Sequence, residues 1–564
     1  MIDETTAKRQ LRLSDRAVQE LGERLRDFIV KWHLGAAQAS VGRMGTRADL
    51  EDRLAADFTA GGRPIDEVWR KVVDVVVPHA LRLDHPRFFA FVPGPSNFVS
   101  VVADAIASAC NIFAGSWIGG SGPAQLETNT IRWLCETYGL PGSAGGHFLS
   151  GGSHASLTAL MVARDEKLQG RLDRGTAYCS DQTHASVVRA FRILGIPSSN
   201  IRVLATDDRY RLKMTALRQA ISADRGSGLK PFCVVGNAGP TSTGAVDPIP
   251  EMAALCNSEN LWLHIDGAYG GAAALYVEDL KRQLALADSL AMDPHKWLFQ
   301  PLEIGCVLLR EGALLPKHFT MHGDYFDNLG EGRSYLEEGM QLTRAARSLK
   351  LWMSLQVFGV DAFRAAIARG IEIARYVEQR VRDGKVFEIV TPAELGIVTF
   401  RVKGRVDSGE ALIGTCNALR ESGFAVLSTT RLRGEQVLRM CTINPRTTDR
   451  DIDETLARLE QLVARSLFRL QVFLRRADRI LDGIDRRQLR RERKAKLGEE
   501  LRLLLRAHLI DGLRDAFEGL LEFRFGDLPL HDGPLPRACR NASRTSAGSI
   551  RRQRAATWRS GRTR

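Results

Sequence analysis

Lys296 follows His295 directly, between Pro294 on one side and Trp297 and Leu298 on the other. Proline interrupts regular structure and the two apolar side chains favour burial, so the stretch reads as a poor helix interior and a poor surface loop. The lysine is therefore expected inside the protein. Burial disfavours an ammonium and leaves a more nucleophilic amine, suited to Schiff-base chemistry with an aldehyde. Thirty residues upstream, Leu261-Trp262-Leu263-His264-Ile265-Asp266-Gly267-Ala268-Tyr269-Gly270-Gly271 is a short apolar strand ending in a carboxylate and small residues. Ligands of open α/β sheets lie beyond the carboxyl ends of the strands, which aims Asp266 at a site. A carboxylate that only caps the strand end would leave the same pattern.

A strand-end aspartate followed by such a lysine is the pair that pyridoxal 5'-phosphate chemistry needs. The carboxylate keeps the pyridine nitrogen protonated, which makes the ring an electron sink, and the lysine takes the aldehyde. His-Ile-Asp-Gly-Ala-Tyr-Gly at 264–270, followed by Asp-Pro-His-Lys-Trp at 293–297, resembles the group II pyridoxal-phosphate amino-acid decarboxylases, which include the aromatic-L-amino-acid and glutamate decarboxylases. The resemblance runs from about Leu81 to Val463 through separated motifs in the same order.

It implies an α/β fold of the aspartate-aminotransferase-like kind (fold type I). A large cofactor-binding domain spans 81–359 and a smaller C-terminal α+β domain spans 360–465. An N-terminal helical segment, 1–80, would pack across the partner in a homodimer with shared active sites, or else decorate its own subunit. Helical spacing of Leu13, Ala17, Leu21, Leu25, Phe28 and Ile29 supports the helices, and Gly61-Gly62-Arg63-Pro64 breaks them.

Other motifs take their roles from the same resemblance. Gly151-Gly152-Ser153-His154 opens a helix, and a glycine turn with a hydroxyl at a helix N-terminus is an anion site. The resemblance implies that Gly152, Ser153 and His295 hold the cofactor phosphate, with Asp293 also in the cofactor-binding set. His154 stands where the family usually has an acidic residue. In Asp181-Gln182-Thr183-His184-Ala185-Ser186, a histidine at a helix start is by itself a cap or a core residue. Its match to the family pattern implies that His184 lies on the pyridine ring and meets the substrate carboxylate. Thr241, 25 residues before Asp266, matches a cofactor-contacting threonine, although Pro240 replaces the usual threonine before it.

Three further groups concern the substrate. Pro93 and Gly94 follow the aromatic-rich run Phe88, Phe89 and Phe91, which is either core beside a loop or the family's loop bordering substrate and cofactor. Phe113 and Trp117 resemble a segment that lines the neighbouring subunit's substrate pocket, with Gly115 where animal aromatic decarboxylases tend to carry an aromatic. Arg439 interrupts the apolar strand Val437-Leu438-Arg439-Met440-Cys441, where an arginine usually has a carboxylate partner. In glutamate decarboxylases an arginine at this point receives the substrate α-carboxylate. Tyr325 lies 29 residues after Lys296 in a long, Gly-rich run of the kind that forms functional lids or disorder. Aromatic decarboxylases carry there the tyrosine that protonates the substrate carbon.

The 564 residues, 44% apolar and 26% charged, describe a globular protein of more than one domain. No run approaches the roughly 20 apolar residues of a membrane span. The start lacks the apolar core of a signal peptide, and nine scattered cysteines without a Cys-x-x-Cys pair suggest a reducing cytoplasm and no metal site. Residues 466–564 hold 24 basic and 12 acidic groups, while the remaining chain holds 55 and 54. The excess charge thus belongs to a basic tail, read as helical at first and disordered later, and more simply a non-functional extension than a nucleic-acid-binding arm.

These observations lead to a dimeric, cytoplasmic carboxy-lyase that uses pyridoxal 5'-phosphate to turn an L-amino acid into its amine and CO2. An aromatic substrate is expected because Phe88, Phe89, Phe91, Phe113 and Trp117 are taken to gather at the pocket. The alternatives are an acidic or other amino acid, oxidative decarboxylation-deamination to an aldehyde, and an inactive pyridoxal fold with a nucleic-acid-binding tail.

Overall fold

A computed structural model describes residues 11–55, 58, 61–320, 331–404 and 409–482, with side chains as far as 465. Tyr325, and the tail beyond Asp482, lie outside the described residues.

Short apolar runs bounded by glycine and polar turns form the central sheet. Its strands are β1 (Gly145–Leu149), β2 (Gly175–Ser180), β3 (Ile201–Leu204), β4 (Lys230–Asn237), β5 (Trp262–Asp266), β6 (Ser289–Met292) and β7 (Gly305–Leu309). Their order is β1-β7-β6-β5-β4-β2-β3, and only β7 opposes its neighbours. Parallel strands covered on both faces must be apolar on both, and β4 is buried throughout from Pro231 to Asn237. One core packs Phe148, Ile265 and Leu290 on one side of the sheet; Leu149, Val235 and Ala291 face another. Because β7 alone is reversed, the carboxyl ends of β1, β2, β4, β5 and β6 meet along one edge.

A second, antiparallel sheet has the order β10-β11-β9-β8, from β8 (Phe387–Glu394), β9 (Ile397–Val402), β10 (Ser428–Leu432) and β11 (Glu435–Cys441). Its core also takes in Phe89. The aromatic run expected at a pocket is therefore mostly packing for this sheet. Phe88 bridges to Val426, the Phe89 N–H donates to the Val426 carbonyl at 2.8 Å, and the Cys441 N–H donates to the Phe89 carbonyl at 2.9 Å.

The helix Ser348–Asp383 is long and apolar enough to cross a membrane by length and composition alone, against the expectation from the sequence. It breaks at Gly359, whose φ of 75° is left-handed, and it sinks Leu351, Phe363, Ile367 and Ile371 into the large core. The N-terminal helices Asp15–Leu34, Arg47–Arg53 and Ile65–Lys71 behave differently: none buries a single residue. Leu25, Val30, Ile65 and Val68 are exposed there, as are Val72 and Val76 in the turn that follows.

One buried ion pair braces the edge on which the site forms. Arg344 Nη2 lies 2.6 Å from Glu127 Oε1, with side-chain exposures of 2% and 0%. The same guanidinium donates to the Phe148 carbonyl at 2.7 Å, and Glu127 accepts the Phe148 N–H at 2.9 Å. Both peptide groups of a β1 residue are thus held from the side. Removing one partner leaves the other charge buried and uncompensated, so Arg344→Met should lower stability by about 3–5 kcal/mol in denaturant unfolding.

Candidate active site

The carboxyl edge of the sheet opens onto a cavity of about 400 Å³. β1 ends there and the chain turns through Gly151 into the helix Gly152–Leu168. The first N–H groups of a helix lack intrahelical acceptors and attract anions. Only glycine lets the turn approach so closely, because a Cβ on Gly152 would lie 2.9 Å from Ala268 Cβ and 3.0 Å from Asp293 Oδ2. Gly151, Gly152, Ser153 and His154 all line the cavity.

β5 brings Asp266 to the same cavity. Its Oδ1 accepts the Ala268 N–H at 3.1 Å, and burial raises its carboxyl pKa, with Lys296 acting in the opposite direction. A buried carboxyl in this state favours a cationic neighbour. The next strand, β6, ends in the turn that carries Asp293, His295 and Lys296. Contrary to the reading of this stretch as a poor helix interior, Pro294–Trp297 is a single helical turn with proline at its start, where the missing N–H is not needed. The lysine is also less enclosed than expected. Its side chain is 23% exposed, and Nζ pairs with Asp293 Oδ2 at 3.0 Å, so a carboxylate rather than an apolar wall meets the amine. His295 Nδ1 lies 2.7 Å from the Ile304 carbonyl, an arrangement that turns Nε2 away from that bond, and burial lowers its pKa.

His184 caps the helix Ala185–Ile193, with Nδ1 2.7 Å from Ser186 Oγ, and lines the cavity as well. His184 thus both caps its helix and borders the cavity. Thr241 lines the cavity too. All eight residues expected at the cofactor thus surround one space.

The substrate set does not. Pro93, Gly94, Phe113, Trp117 and Arg439 are not among the residues lining it. Gly94 nevertheless packs on the lysine turn, where a Cβ would collide with the His295 and Lys296 carbonyl oxygens. Gly94→Ala should push that turn away and lower turnover by about 100-fold, measured as CO2 release from protein whose circular dichroism is unchanged. The ring of Phe113 crowds Gly115 and Gly119 rather than the cavity. Arg439, 2% exposed, lacks the expected carboxylate partner among the described residues. It instead donates from Nε to the Thr241 carbonyl and from Nη1 to the Phe91 carbonyl at 2.6 Å, which ties β11 to two loops, and its Nη2 has no partner.

Sequence reasoning missed Ser150, Ser186, Asn237 and Tyr269, which also line the cavity. Asn237 ends β4 beside Asp266 in register, so the strand-end rule that found the aspartate would have found it too. Its amide donates to Asp247 Oδ2 at 2.8 Å and Ser180 Oγ at 3.1 Å. Tyr269 stacks on Trp297, with centroids 5.0 Å apart, and its hydroxyl accepts the Gly396 N–H at 2.6 Å, joining the lysine turn to the small sheet.

A carboxyl, an amine and a glycine-lined helix start flanked by imidazoles, all bordering one cavity, fit a flat cationic ring that carries an aldehyde and a phosphate. The fold and cavity define a pyridoxal-phosphate enzyme of fold type I. The family model of the pyridoxal-dependent decarboxylase conserved domain matches residues 49–403. The chain is 42% identical over 467 residues to the aromatic-L-amino-acid decarboxylase of Bacillus atrophaeus, covering 80% of this chain and 96% of that protein. It is similar to the crystal structure of Oryza sativa TDC with PLP and tryptamine, at 27% identity and TM-score 0.76, over 80% of this chain and 99% of that one. A third likeness is to Rhodiola rosea 4-hydroxyphenylacetaldehyde synthase, at 25% identity and TM-score 0.74, with the same coverage of 80% and 99%. The chain belongs to the pyridoxal-dependent decarboxylase family.

Proposed function

We propose that this enzyme decarboxylates an aromatic L-amino acid to the amine. The single observation that carries the substrate class is the 42% identity over nearly the whole of an aromatic-L-amino-acid decarboxylase. When bound, pyridoxal phosphate supplies the electron sink that lets CO2 depart. Lys296 would hold the group through its aldehyde, Asp266 would keep a proton at the ring nitrogen, and Gly152, Ser153 and His295 would bind the phosphate. His184 would meet the ring and the substrate carboxylate, Thr241 would contact the cofactor, and Asp293 orients the lysine. Arg439 acts mainly through the Thr241 and Phe91 carbonyls it grips, with Nη2 left for a carboxylate.

Phe113 and Trp117 serve a second copy of the chain, which forms a homodimer through the N-terminal helices. The exposed apolar face of those helices, unburied within one chain, supports this. Domains divide near the Gly359 break, nucleic acid is not a partner, and the compartment is the cytoplasm. The eight cysteines among the described residues are unpaired, in keeping with a reducing environment.

Similarity to an aldehyde synthase keeps a second outcome in view. Tyr325 decides between them by delivering a proton to the substrate carbon once CO2 has left. Holoenzyme given a panel of aromatic and acidic L-amino acids should release CO2 and amine in equal amounts from aromatic ones. Release from glutamate alone would overturn the substrate class. With Tyr325→Phe, amine should fall and aldehyde with peroxide should rise; amine at the parent rate without peroxide removes Tyr325 from the role. Tyr335 is no substitute, since it is fully buried with its hydroxyl 2.9 Å from Thr128 Oγ1.

A further inference from the structure

His264 lies two residues before Asp266 on β5, on the same face of the strand, and is completely buried. It does not line the cavity. Its Nε2 is 3.2 Å from Ser156 Oγ, on the helix that starts at Gly152, and its Nδ1 is 2.9 Å from Ser289 Oγ on β6. Ser289 Oγ in turn accepts the Trp262 indole N–H at 2.8 Å. The ring is thus shared by three elements whose other ends carry cavity residues: Asp266 on β5, the Gly151–Ser153 turn on the helix, and the Lys296 turn after β6.

The spacings form a ladder. From His264 to Asp266 is two strand residues, roughly 6.6 Å. From Ser156 back to Gly152 is four helical residues, just over one turn and roughly 6 Å. The His264–Ser156 hydrogen bond is therefore a rung one step behind the gap that the cofactor must span between the carboxylate and the phosphate turn. A neutral imidazole accepts from one hydroxyl and donates to the other, whereas a charged one donates to both. Burial holds this ring far below the ordinary histidine range, at about 3, so the two-way bridge persists at neutral pH.

We propose that His264 is a positioning residue that sets the separation between Asp266 and the Gly151–Ser153 turn, and thereby the affinity for a ligand gripped at both ends. This rests on the reading of the cavity as a pyridoxal-phosphate site. A rigid ligand held at two points loses both contacts when the points shift, whereas a ligand that uses only one end does not. The group acts without touching cofactor or substrate.

The test compares apo forms of the full chain titrated with pyridoxal phosphate and with pyridoxal, which lacks the phosphate, by quenching of tryptophan fluorescence. His264→Phe keeps the volume and removes the bridge. It should weaken pyridoxal phosphate about 10- to 100-fold while pyridoxal changes less than about 3-fold. His264→Gln, able to donate and accept, should recover most of that loss, and Ser156→Ala should reproduce the selective loss from the other side. Equal weakening of both ligands, or no weakening in a folded variant, overturns the proposal. If His264→Phe fails to fold, the Ser156→Ala ratio decides, and an unchanged ratio counts against it. A parent protein that binds neither ligand would instead sink the pyridoxal-phosphate reading itself.

Discussion

Lys296→Ala is expected to leave a folded protein that holds no covalent cofactor and decarboxylates at least about 1,000-fold more slowly than the parent. Its Nζ is the amine of the cavity, brought there by the helical turn Pro294–Trp297 at the end of β6 and oriented by Asp293 Oδ2 at 3.0 Å. Alanine removes the group that joins the aldehyde and also frees Asp293, whose Oδ1 already lacks a partner. Turnover is measured as CO2 release, and the cofactor link as the visible absorbance that survives gel filtration. Retention of that absorbance in the variant, resistant to dialysis, would show that another amine holds the cofactor.

Asp266→Asn should give the second largest effect. The amide is nearly isosteric, so the hydrogen bond from the Ala268 N–H can persist, but the charge that balances a protonated ring nitrogen is gone. Burial disfavours ionisation of this carboxyl, and a cation placed against it reverses the balance. The loss of such preorganised charge is worth roughly 100- to 1,000-fold in turnover. Because the phosphate turn is untouched, affinity for inorganic phosphate should stay at the parent value. A turnover within about 3-fold of the parent would remove Asp266 from the ring-nitrogen role.

What could be read from the chain follows from how local each signal is. Asp266 and Gly152 lie where an apolar strand stops or a helix begins, and those ends are visible as changes in residue pattern. His184 carried two readings, cap and site; it caps its helix and also borders the cavity, because a helix start at the sheet edge is also a cavity wall. The environment of Lys296 was less legible, since flanking apolar residues cannot show that a carboxylate three residues earlier will meet the amine.

The aromatic run misled for a similar reason. Phe88 and Phe89 pair with Val426 and Cys441, residues more than 330 positions away, and no local pattern announces that. Arg439 looked like half of an ion pair, yet its acceptors are the carbonyls of Thr241 and Phe91, and backbone oxygens carry no sequence signal. The substrate class consequently rests on overall similarity and not on the residues first credited with it.

The most direct test of Lys296 as the attachment point is reduction of the holoenzyme with borohydride, followed by proteolysis and mass mapping. A single pyridoxyl-phosphate adduct on the peptide containing Asp293, His295 and Lys296, located on the lysine, is the predicted result. An adduct on Lys350 or any other lysine, with none at Lys296, would contradict the assignment of the cavity.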